Sequence, residues 1–195
     1  ALQLTGATPI SQLGAGFGRL GNGALFRVVE MQPNGFPRVI FPGIPYPAIL
    51  LLVVAVVATY LLRRRQIGRH IYATGSNEEA ARLSGVNVDW TKMYAYTMSG
   101  ALAGLAGNVL MSRLVTAQPS EGVMYELDAI AAAVIGGASL SGGVGTVAGT
   151  MIGAFIIGIL RNGLNMSGVS AFIQQIVIGF VVIGAVWIDQ VRNRR

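Results

Sequence analysis

No cysteine occurs among the 195 residues, which excludes disulfides, thiol catalysis and cysteine-ligated metals. Histidine appears once, as His70, and lysine once, as Lys92, so a two-histidine zinc motif cannot be assembled. Charge is scarce too. Only 11% of residues are charged, against about 25% in soluble domains, too few to cover a water-facing surface. There is no G-x-S-x-G elbow, and no glycine-rich loop followed by the Lys-Ser/Thr that holds nucleotide phosphates. These absences argue against an enzyme, a resident cofactor or metal, and an ATP site on this chain.

What the chain has is apolar bulk: 53% hydrophobic residues, 27 glycines and 7 prolines, with a mean hydropathy of +0.60. A net charge of +6 suggests nucleic acid at first sight, but the basic residues do not form a phosphate-binding face. Nine of the 14 lie within residues 63–92 or at Arg192, Arg194 and Arg195. Such clustering is what the positive-inside rule gives cytoplasmic segments of a membrane protein. No nucleic-acid partner is expected; a lipid bilayer is. The first residue is Ala with no signal peptide before it, so the chain reads as a piece of something longer.

Residues 1–45 are mixed and rich in glycine and proline, and read as an external, extended or turning segment. Residues 48–62 are mostly Leu, Val and Ala, closed by Arg63, Arg64 and Arg65; the uncharged run back to Val39 is long enough to cross a ~30 Å hydrocarbon core. A second span is expected over 93–112, where Gly100, Gly104 and Gly107 would let helices approach closely. The longer stretch that follows is read as a third span over about 123–140, a glycine-rich turn, and a fourth span over about 146–161. Gly145, Gly149 and Gly153, four apart, make a flat stripe on the fourth. A fifth covers about 171–188 and ends at Trp187, an interface-type residue. The fold expected is therefore all-α: a polytopic membrane bundle of about five helices over residues 46–195, with a polar cytoplasmic loop at 63–92. The third span is short, and a re-entrant half-helix is the alternative. A full crossing is favoured, because only then do both basic clusters fall on the cytoplasmic side.

Within the loop, residues 76–85 read as a complete miniature helix. Ser76 is the expected N-cap, with Glu79 three residues on completing a capping box. Glu78 and Glu79 suit the first turn, Arg82 lies toward the other end, and Gly85 is placed for a left-handed C′ residue. Ala80 and Leu83 give it a small apolar face; Glu78 and Arg82, four apart, give it a polar one. Two turns are not stable alone in water, so the helix must rest on something. Intramembrane polar residues are the other pointers to function: Asn108, Gln118, Glu126, Asp128 and Asn165, with Asn162, Gln174 and Gln175 beside them. For Glu126 and Asp128 the competing reading is compensation of a helix dipole. For Asn108, Gln174 and Gln175 it is interhelical hydrogen bonding. No charged residue lies in the middle of the second, fourth or fifth span, which argues against a proton-coupled carrier or voltage sensor.

Residues 67–88 (IGRHIYATGSNEEAARLSGVNV) resemble the cytoplasmic loop of permease subunits of ribose-type sugar ABC importers. The likeness continues through 117–119 (AQP), 125–132 (YELDAIAA), 136–143 (GGASLSGG) and 160–165 (LRNGLN), in order. It covers residue 67 to about 190; residues 1–45 match only loosely, as an external loop. The resemblance implies the C-terminal portion of a multi-pass permease of the bacterial inner membrane, with a cytoplasmic C-terminus. It implies that Asn77, Glu78, Glu79, Ala80, Ala81, Arg82, Leu83, Ser84 and Gly85 form a coupling helix that docks on a separate ATP-binding subunit. It also implies a second permease copy, an external solute-binding protein and a sugar as solute. A branched-chain amino acid or nucleoside permease of the same family, and a non-transporting membrane scaffold, are the alternatives.

Overall fold

The structure, a computed structural model, describes residues 10–11, 16–26, 28–31, 37–118 and 121–193. Among them are eight helices: α1 (Gly18–Asn22), α2 (Tyr46–Arg64), α3 (Gln66–Ser76), α4 (Glu78–Leu83), α5 (Val88–Leu114), α6 (Tyr125–Ile135), α7 (Val147–Met166) and α8 (Ala171–Asn193). Six short strands pair antiparallel in three sheets of two: β1 (Ile10–Ser11) with β6 (Thr116–Ala117), β2 (Ala24–Leu25) with β5 (Ile44–Pro45), and β3 (Val28–Met31) with β4 (Pro37–Phe41). The chain divides into two compact units, Ala1–Val56 with Tyr96–Gly122, and Val57–Ala95 with Val123–Arg195.

In the first unit, α2 begins at Tyr46, seven residues later than the uncharged run starts. The expected span back to Val39 is corrected: 37–41 and 44–45 are strands. Pro42, Pro45 and Pro47 explain this. Pro42 and Pro45 lack an N–H and push the residues before them out of the helical region, while Pro47 sits in the first turn, where no donor is needed. The other end of this unit is a polar lock. Ser112 on α5 is fully buried; its Oγ accepts from Gly21 N at 2.7 Å and donates to the Phe17 carbonyl. Asn22 Nδ2 donates to the carbonyls of Ser112 and Arg113, at 3.2 and 3.0 Å, satisfying acceptors that α5 leaves open at its C-terminus. Gly100, Gly104 and Gly107 do not mediate a close approach among the described residues; nothing lies within 4 Å of where their Cβ atoms would be.

The second unit is built on α6, α7 and α8. Small residues bring α6 and α7 together: a Cβ on Gly149 would strike the Gly136 carbonyl, and one on Gly153 the Ala132 carbonyl. The expected glycine stripe is thus an interface at two of its three positions. Gly145 lies just before the helix, against Ala138. On these three helices Ala131, Ala132, Val134, Ile157 and Ile178 are the buried apolar side chains among the described residues. Thr146 caps α7, accepting from Gly149 N at 3.1 Å.

The third span departs from expectation. The helix α6 has 11 residues, about 16 Å of rise, roughly half of a ~30 Å hydrocarbon core. Gly122 at φ 85° and Met124 at φ 74° stop it from starting earlier, and Gly137 at φ 87° ends it. A crossing by one continuous helix over 123–140 is therefore corrected. By length and composition α2 and α7 are apolar enough to cross a membrane, and Ala171–Trp187 is a shorter apolar stretch.

Candidate functional site

The polar loop is two helices set end to end, with Asn77 as their hinge pin. Its backbone is extended (φ −154°, ψ 108°); its N–H closes α3 on the Ala73 carbonyl at 3.0 Å, and its Oδ1 opens α4 by accepting from Ala80 N at 2.9 Å. The N-cap is thus Asn77. The expected capping box of Ser76 and Glu79 is corrected, because Ser76 is the last residue of α3. The other end matches expectation. Gly85 is left-handed at φ 83°; Val86 N donates to the Ala81 carbonyl and Gly85 N to the Arg82 carbonyl, each at 3.0 Å, a Schellman pair. Ser84 Oγ adds a bond to the Ala80 carbonyl at 2.8 Å.

Ion pairs fasten α4 to the start of α5. Glu78 meets Lys92 at 2.6 Å and Arg82 at 3.6 Å, and Arg82 meets Asp89 at 3.7 Å. The hydrogen bond from Lys92 holds the Glu78 carboxyl below its ordinary value of 4.5; the charges of Lys92 and Arg82 act the same way, and desolvation opposes them. Asn87 caps α5 by accepting from Trp90 N at 3.0 Å. Ala81 is the residue that this helix buries, and Val88 and Thr91 at the start of α5 are buried as well. Ala80 and Leu83, the expected small apolar face, point outward: Leu83 is 90% exposed, and Glu79, Ala80 and Ser84 are exposed with it. A fixed two-turn helix thus presents one large apolar side chain, ringed by small and charged groups, at its exposed face.

The polar residues singled out in the spans divide between the units. In the first, Asn108 bonds back to the Gly104 carbonyl of its own helix at 2.9 Å and lines a shallow apolar groove with Leu20, Leu50 and Leu105; Gln118 is exposed just past β6. In the second, Glu126 is exposed in the first turn of α6 and Asn165 in the last turn of α7. Asp128 is engaged: it takes a hydrogen bond from Arg161 of α7 at 2.9 Å within a 2.8 Å ion pair, and the guanidinium lies 5.9 Å from the Tyr125 ring. Sequence reasoning missed this pair. Its signal was Arg161, a lone positive charge between uncharged stretches, with Glu126 and Asp128 just before the first of them. Gln174 Nε2 donates to the Val169 carbonyl at 2.8 Å, capping the turn between α7 and α8. Among the described residues, no group of His, Cys, Asp or Glu is placed to hold a metal.

A model of the permease component of branched-chain amino acid transport systems matches residues 7–186. The chain belongs to this permease family. It is 45% identical over 192 residues to the ribose import permease protein RbsC of Bacillus subtilis (strain 168), covering 98% of this chain and 55% of that protein. It is 49% identical over 155 residues to the xylose transport system permease protein XylH of Haemophilus influenzae, covering 80% and 41%. It is 50% identical over 147 residues to RbsC of Escherichia coli (strain K12), covering 75% and 46%. The chain therefore spans about half the length of the curated relatives it matches. No solved structure is significantly similar to it. Permease membership accords with the absence of catalytic motifs, and the resemblance seen in residues 67–165 is to this group.

Proposed function

We propose that the chain forms the C-terminal portion of the membrane-spanning permease subunit of a sugar importer of the ABC type. In this reading α2, α5, α7 and α8 cross the membrane, and α6 occupies the inner half of it. An external binding protein delivers a ribose-like sugar, two permease copies enclose the path, and ATP hydrolysis on a separate subunit drives it. The observation that carries the reading is the α4 surface: residues 77–85 are locked by caps and ion pairs, yet leave Leu83 uncovered. Lipid is a poor occupant, because a helix with one large apolar side chain binds a membrane feebly. The polar neighbours Glu79 and Ser84 suit a protein groove. Sugar is favoured over an amino acid because the ribose and xylose permeases are the relatives at 45–50% identity. Asn108, Gln118, Glu126 and Asn165 are offered to the solute path; Asp128 is assigned to holding α6 on α7.

The test is co-purification and uptake with the full-length permease, its ATP-binding subunit and its binding protein in proteoliposomes. Leu83→Glu, at an exposed position that cannot unfold the core, should weaken ATP-binding-subunit retention by about tenfold or more, the loss expected of an interface anchor. Ribose uptake should fall with it. Retention and uptake both at wild-type level would refute the coupling role.

A further inference from the structure

The end of α3 lies directly on the glycine-rich turn that joins α6 to α7. A Cβ on Gly75 would come within 2.7 Å of Gly143 N, and one on Gly142 would strike the Gly75 carbonyl. A Cβ on Gly143 would come within 2.9 Å of Ser76, and Tyr72 Oη donates to the Gly145 carbonyl at 2.8 Å. The turn is held by its own bonds, Ser139 N to the Val144 carbonyl at 3.0 Å and Gly142 N to the Ser139 carbonyl at 3.1 Å. Gly142 at φ 91° and Gly143 at φ 74° adopt a backbone that side-chain-bearing residues rarely take.

This is backbone against backbone. Contacts made by long side chains can absorb a displacement by changing rotamer, whereas two glycine backbones in contact have no rotamer to change. The same construction continues on both sides. Asn77 is the single residue between α3 and α4 and caps both, and beyond the turn Gly149 and Gly153 of α7 abut the carbonyls of Gly136 and Ala132. A movement of α4 therefore meets no compliant layer before it reaches the α6–α7 pair.

We infer that the contact of Tyr72 and Gly75 with residues 142–145 is the joint that passes displacement of α4 to α6 and α7, with Tyr72 and Gly75 as positioning residues. This rests on α4 being the coupling helix. Gly75→Ala is the sharp probe, since alanine favours the helix itself and is resisted only at the joint. Tyr72→Phe removes one hydrogen bond and keeps the ring.

The measurement is sugar transported per ATP hydrolysed, using the full-length permease assembled with its ATP-binding subunit and binding protein in proteoliposomes, with ribose as the probe. Gly75→Ala should lower the ratio about tenfold, as overpacking of a tight contact does. Tyr72→Phe should lower it about threefold, as loss of one hydrogen bond does. Both should retain the ATP-binding subunit and its basal hydrolysis, whereas a merely structural defect lowers uptake and hydrolysis together. Gly100→Ala, which meets open space among the described residues, serves as the control and should leave the ratio at the wild-type value. A wild-type ratio in Tyr72→Phe and Gly75→Ala overturns the joint. Should Gly75→Ala not assemble, Tyr72→Phe decides by the same criterion. Failure of the permease reading looks different: there the wild-type assembly gives no ATP-dependent uptake, or Leu83→Glu retains both the ATP-binding subunit and uptake.

Discussion

A charge placed among apolar residues is costly unless paired, and Asp128 and Arg161 show how this chain meets that cost. Their side chains are 21% and 37% exposed, with Tyr125 beneath the guanidinium. Removing one partner leaves the other desolvated and unpaired, which is worse than removing both. Arg161→Leu should therefore destabilise the second unit by about 2 kcal/mol, the order of a hydrogen bond to a charged group. The double variant Asp128→Asn/Arg161→Leu should recover about half of that. Thermal unfolding of the purified full-length permease in detergent reads the difference. Strict additivity of Asp128→Asn and Arg161→Leu would mean that the pair does not couple α6 to α7.

At the scale of elements, α4 is where the sequence was most legible and most misleading. The left-handed Gly85, the Glu78–Arg82 pair and the existence of a two-turn helix all follow from spacing, because they depend on residues within five of each other. The N-cap did not. Ser76 and Glu79 carry the capping-box pattern, but α3 runs through Ser76 and docks on residues 142–145, a contact some 70 positions away that no local pattern encodes. Similarly, spacing marks Ala80 and Leu83 as the apolar face, but it does not show that Ala81 is the residue the helix buries. The ion pairs give the element a pH dependence. Glu78 is held below its ordinary value of 4.5, so its contribution is complete above 4.5 and is lost as pH falls through the lowered value. A spin label at Leu83→Cys should thus show the restricted backbone motion of an exposed helical site at pH 6 and gain mobility on acidification through and below that range. With Glu78→Gln added, the label should be equally mobile at both ends. Unchanged mobility of the Leu83→Cys label on acidification would show that the pair with Lys92 does not hold α4.

For the whole molecule, the apolar runs translate into helices where charges or prolines bound them, as Arg63–Arg65 bound α2. Residues 123–140 lack such bounds. The two readings left open there, full crossing and re-entrant turn, differ in which side receives the glycine-rich turn. The contact of residues 142–145 with α3 bears directly on this. Both the turn and α3 belong to one unit, and α3 begins one residue after the arginine-rich end of α2, so the turn faces the side on which the arginines lie. From there α7, 20 residues long, rises about 30 Å, enough to reach the opposite face before Ser167. Because these 195 residues hold no cysteine, single substitutions give no background from this part of the protein. Ser84→Cys and Ser141→Cys should both react with an impermeant maleimide only in inside-out vesicles carrying the full-length permease, and Ser167→Cys only in right-side-out ones. All three residues are exposed. Labelling of Ser141→Cys from the outer face would detach the turn from α4 and refute the inward placement of both. Labelling of Ser141→Cys and Ser167→Cys from one face would mean that α7 does not cross. The expected pattern leaves α6 as a half-depth helix ending at the cytoplasmic surface, where α3 meets it.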